Sequence, residues 1–67
     1  MTLEEWRNKK KLSYPQLAKK LGAAHGTVAR RWCLPKDHKD RMIPSPKFMA
    51  IIHESTLGEV TANDFYR

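Results

Sequence analysis

Residues 13–32, SYPQLAKKLGAAHGTVARRW, decide how this chain reads. Ser13 and Gln16 have the spacing of a capping box, and Pro15 is tolerated in a first helical turn, so a helix is expected to start at Ser13. Tyr14, Leu17, Ala18 and Leu21 fall at i, i+3, i+4 and i+7, a single apolar stripe. Lys19 and Lys20 lie away from that stripe, toward water or a partner. Gly22 closes the helix, because glycine enters the left-handed conformation without steric cost. After a turn at 23–25 the helical pattern resumes, with Val28 and Trp32 four apart toward one core and Thr27, Arg30 and Arg31 on other sides. Pro35 bars continuation and limits this third helix to about nine residues.

Two short helices joined in this way need a small residue where they touch, a glycine in the turn and an apolar anchor on the second helix. Ala18, Gly22 and Val28 fill those roles at relative positions 0, +4 and +10. The spacing is that of a helix-turn-helix over about residues 13–33. The competing reading is an ordinary helical hairpin. The shortness of the second helix, and Arg30 and Arg31 on its outer face, count against it.

Working outward, Thr2 and Glu5 form a second capping-box pair, so a first helix is expected to run from Thr2 to near Lys11. Leu3, Trp6 and the aliphatic stem of Lys10 share its inner face. Residues 34–44 form a basic loop, within the Pro- and charge-rich run PKDHKDRMIPSP at 35–46. That loop is either a solvated connection or a strip that follows a nucleic-acid backbone. A fourth helix is expected with Ser45 as cap and Pro46 at its first position. Met49, Ile52 and Thr56 make its core stripe, Phe48 and Ile51 flank it, and Gly58 ends it. In the tail, Val60, Phe65 and Tyr66 are packing groups that serve the core or a dimer interface. Asn63-Asp64 reads as a turn, and helix and strand both remain open there. The expected fold class is all-α: one compact domain over 1–67, with four to five helices and a C-terminal helix and tail over 45–67.

Composition narrows the function. The 67 residues carry a net charge of +6, and a chain this short buries only about 60% of its unfolded surface. The charge is concentrated in the middle. Residues 7–41 hold eleven Lys or Arg against Asp37 and Asp40, a local +9, whereas both flanks are slightly acidic. A segment of that kind is either a solubilising face or a footprint for a polyanion, whose phosphates release counterions when neutralised. Cys33 is the sole cysteine, which excludes an internal disulfide and suits a reducing cytoplasm. His25, Cys33, His38 and His53 follow one another at spacings of eight, five and fifteen residues, no common metal-ligand pattern. Acidic residues are few and dispersed and no glycine-rich phosphate loop is present, so neither catalysis nor a cofactor or small-molecule substrate is expected. No apolar run reaches the length of a membrane span. Trp6, Tyr14, Trp32 and Phe48 have the residue type for stacking on single-stranded bases, but at helical spacing they read as core.

The stretch LAKKLGAAHGTVARRW resembles the helix-turn-helix of phage Cro and repressor proteins and their bacterial relatives. The stretch IPSPKFMAIIHESTLGEVTANDFY looks like the C-terminal half of small Cro-like regulators. The resemblance implies a lambda-repressor-like domain whose third helix enters the major groove of double-stranded DNA. It implies a transcriptional regulator, in the first instance a repressor, acting as a homodimer on a palindromic site in the cytoplasm and at the nucleoid when bound. By the same resemblance Gln16 stands where the family holds a phosphate, and His25 where a base- or phosphate-contacting glutamine is common. Thr27 and Arg30 occupy outward positions. Either Arg30 or Arg31 can present a guanidinium to guanine O6 and N7. Lys19, Lys36, Lys39 and Arg41 are the candidates for further phosphates.

Three positions depart from the family pattern. Ala24 stands where a side-chain cap is usual, Gly26 replaces a base-reading residue, and Trp32 follows Val28 by four residues where three is commoner. The last leaves open which of Arg30 and Arg31 points into the groove. Two further readings compete: an excisionase- or MerR-like protein that bends DNA and uses loop 34–44 as a wing, and an antitoxin-type regulator that grips a toxin.

Overall fold

A computed structural model describes residues 1–66. It contains α1 (Leu3–Lys9), α2 (Tyr14–Leu21), α3 (Gly26–Cys33), α4 (Pro46–Ser55) and a short α5 (Asn63–Tyr66), with no strand among the described residues. No described helix is long and apolar enough to cross a membrane.

Local chemistry sets the first two helix starts. The Thr2 hydroxyl accepts from the Glu5 amide at 3.1 Å, and the Glu5 carboxylate accepts from the Thr2 amide at 2.8 Å. Ser13 and Gln16 repeat the exchange at 3.2 and 2.8 Å. These reciprocal bonds satisfy amides that the first turn leaves without helical partners. Ser45 is the N-cap of α4, but its side chain makes no capping bond, contrary to the expectation from sequence. There the Pro46 ring at the first position removes one of the donors a cap would serve.

Three helices end by one device. After α2, the Gly22 amide donates to the Lys19 carbonyl and the Ala23 amide to that of Ala18. Lys11 and Leu12 make the matching pair after α1, and Leu57 and Gly58 after α4. The pattern requires a left-handed residue, and φ is 77° at Gly22, 56° at Lys11 and 53° at Leu57. The first helix therefore stops at Lys9 and not near Lys11. Likewise the left-handed position after α4 begins at Leu57, one residue before Gly58. A side chain in that conformation costs about 1–2 kcal/mol relative to glycine. Leu57 also leaves its side chain almost wholly in water, at 92% exposure.

The core draws on every helix. Leu3 and Trp6 of α1, Leu17, Ala18 and Leu21 of α2, Ala29, Trp32 and Cys33 of α3, Ile52 of α4 and Phe65 of α5 are buried together with Val60. Helix α2 packs on α3 and α4, and α1 packs on α3. The Trp32 and Phe48 rings lie 5.0 Å apart and tilted, joining α3 to α4. Thr56 is the buried polar member. Its hydroxyl donates to the Ile52 carbonyl at 2.7 Å and accepts from the Val60 amide at 3.1 Å, which ties the end of α4 to the tail.

The tail differs from the sequence reading. Asn63 and Asp64 open α5 instead of forming a turn, because the Asp64 carboxylate accepts from the Thr61 amide at 2.8 Å and closes the helix start. Val60 and Phe65 are buried as expected, whereas Tyr66 is exposed.

Candidate nucleic-acid interface

The interface candidate is built on α2, residues 22–25 and α3. Gly26, in the first turn of α3, faces the first turn of α2. A Cβ placed on it would meet the Pro15 backbone nitrogen at 3.1 Å and Cα at 3.2 Å. The residue that appeared only as a lost base contact is thus the point of closest approach between the two helices. His25, and not Ala24 as the sequence reading placed it, is the N-cap of α3; it makes no side-chain capping bond, so the helix lacks a side-chain cap as expected.

Trp32 faces the core as expected, and Val28, half-buried, packs against it. Ala29 and Cys33 are buried beside Trp32, which widens the inward face. Ala29 has no exposed surface at all. Packing against α1 and α2 favours the stripe at i, i+3 and i+4, and alanine at its head lets the backbones approach. Thr27, Arg30 and Arg31 are turned outward and exposed, and so is His25. The Arg31 guanidinium lies 3.9 Å from the Met42 sulfur, a weak contact with the loop.

The electrostatics divide the molecule in two. The ion pairs among the described residues are Met1 amine–Asp64 at 3.5 Å, Arg7–Glu4 at 2.7 Å and Lys9–Glu59 at 2.7 Å. All of them involve the N-terminal residues or the acidic tail. Arg30 and Arg31, Lys19 and Lys20, and Lys36 and Lys39 are exposed and take part in no ion pair among the described residues. Lys20 shares every attribute that singled out Lys19, and the helical period applied alike to both would have found it.

The remaining phosphate candidates fare differently. Gln16 is exposed, and its carbonyl oxygen is engaged by the Ser13 amide. Arg41 departs most from the expectation: it is half-buried, and its guanidinium donates to the Phe65 carbonyl at 2.6 Å. Its bond is to the protein's own backbone. Loop 34–44 folds as two consecutive turns, His38 amide to Pro35 carbonyl at 2.9 Å and Arg41 amide to His38 carbonyl at 3.1 Å.

On the far side of α3, Arg7 donates to Glu4 and to the Leu12 carbonyl and lies over the Tyr14 ring at 4.3 Å. The Arg7 hydrogen bond holds the Glu4 carboxyl below its usual range. Burial, reinforced by the Glu4 charge, pushes the Cys33 thiol up to about 12. A thiol held protonated is a poor nucleophile at neutral pH. Among the described residues no group of three His, Cys, Asp or Glu is arranged to hold a metal ion. No family model matches the chain, and neither a curated protein nor a solved structure matches it.

Proposed function

We propose that this chain binds double-stranded DNA as a small Cro-like transcriptional regulator, with α2 and α3 acting as a helix-turn-helix. In this reading α3 enters the major groove, and two copies occupy a palindromic site to repress transcription. The observation that carries the reading is the free outer face of α3. Arg30 and Arg31 are exposed on an eight-residue helix, and no carboxylate of the described residues pairs with either. Unpaired guanidiniums on a projecting helix are available for bidentate contacts to guanine, each worth about 1–3 kcal/mol of discrimination. Lys19, Lys36 and Lys39, equally unpaired, supply the nonspecific phosphate term. Gly26 contributes by letting the start of α3 sit against Pro15, which holds the two helices as one unit.

Selection of bound duplexes from a random pool at fixed salt tests this reading. A palindromic consensus is expected. Replacing Arg30 and Arg31 together by alanine should then weaken binding to the selected site by about 1–3 kcal/mol or more, with the helical circular dichroism spectrum retained. Full affinity in that double variant removes α3 from the interface.

A further inference from the structure

The loop that carries Lys36 and Lys39 is packed mainly at its ends, through the half-buried Leu34 and the buried Pro44. It contains no helix or strand, and Lys36, Asp37, Lys39 and Asp40 are all exposed. Inside the loop, the two turns and an Asp40 amide bond to His38 Nδ1 at 3.0 Å shape the chain locally. None of these bonds fixes the loop against the rest of the molecule. Two others do. The Met42 amide donates to the Arg31 carbonyl at 3.1 Å, at the last turn of α3. The Arg41 guanidinium donates to Phe65 across 24 residues of sequence. Beside that bond opens a cleft of 340 Å³ lined by the start of α1 from Thr2 to Glu4, by residues 32–36, and by Arg41, Asp64 and Phe65. The guanidinium bond links the loop to the tail at this cleft.

We infer that Arg41 is a positioning residue: through the Phe65 carbonyl it holds the basic loop beside the end of α3, so that Lys36 and Lys39 meet phosphates flanking the groove. The inference rests on the DNA-binding reading for its consequence but not for its geometry. Arginine suits the task because a planar guanidinium keeps its charge and donates in a fixed direction. The Phe65 carbonyl, in a helix only four residues long, has no helical partner of its own to lose. The charge of Arg41 is thereby spent inside the protein, and the phosphate contacts belong to its neighbours.

The two roles give different salt dependences. Each phosphate contact contributes about 0.9 to the slope of log affinity against log salt. If Arg41 touched a phosphate itself, Arg41→Met and Lys39→Met would each lower the slope by about 0.9, and the double variant by about 1.8. Positioning predicts another pattern. Arg41→Met alone releases both lysines and lowers the slope by about 1.8, Lys39→Met lowers it by about 0.9, and the double variant matches Arg41→Met. Additive losses overturn the inference.

Amide hydrogen exchange reads the clamp without DNA. Arg41→Met should speed exchange at the Met42 amide while the amides of α2 keep their protection. Unchanged Met42 protection overturns the clamp whatever the chain binds. Absence of any salt-dependent duplex binding by the unaltered chain overturns instead the reading under which α3 meets DNA.

Discussion

Cys33 is placed so that its chemistry is suppressed. The thiol is buried beside Glu4, and burial first, the carboxylate second, keeps it protonated up to about 12 against 9.0 for a free thiol. The consequence for stability follows from the direction of the shift. A group whose folded value is raised contributes fully below its unfolded value and loses that contribution as pH climbs toward the folded one. Denaturant midpoints are therefore expected to fall between about pH 9 and 12, and Cys33→Ala should flatten that part of the profile. An equal alkaline decline in the variant would assign the loss elsewhere.

Elements are decided by contacts a few residues wide and by a few that are not. The capping boxes at Thr2 and Ser13 lie within four-residue windows and were legible from the spacing alone. So was the left-handed Gly22. The matching positions at Lys11 and Leu57 were missed because a sequence reading looks for glycine where the backbone turns left, and these two ends use side chains that bear the strain. That α3 meets α2 was expected, but the contact of Gly26 with Pro15 was missed, since the two are remote on the helical stripe pattern. Gly26→Ala puts a methyl 3.1 Å from the rigid Pro15 backbone. The Pro15 backbone must give by a few tenths of an ångström, a strain of about 1–3 kcal/mol set against the roughly 0.5–1 kcal/mol that alanine gains over glycine inside a helix. A thermal midpoint lower by several degrees is expected, about 4–8 °C for each kcal/mol in a domain of this size. A midpoint equal to or above that of the parent would mean the first turn of α2 yields freely.

At the scale of the whole molecule, charge is segregated. The net +6 is unevenly shared: the ion pairs among the described residues gather on α1 and the tail, leaving α2, α3 and the basic loop without paired carboxylates. Surface pairs of this kind contribute little, whereas uncompensated like charges repel one another in the compact state. Added salt screens that repulsion over a Debye length of about 10 Å at 0.1 M. The thermal midpoint is therefore expected to rise by a few degrees between low salt and about 0.5 M sodium chloride. A midpoint that falls with salt would mean the three pairs outweigh the repulsion.

From residue types and their separations alone followed an all-helical chain, the starts of α1 and α2, the stop before Pro35 and the outward Arg30 and Arg31. Each rests on bonds between near neighbours or on a helical period. How deeply each inward residue of α3 lies was settled only by packing: contact with α1 and α2 buries Ala29 fully and leaves Val28 half-buried against the core. The same holds for Arg41, which reads as one more surface cation until Phe65, far along the chain, is brought within reach of its guanidinium. Such choices depend on which distant groups share a boundary, and no local period encodes that.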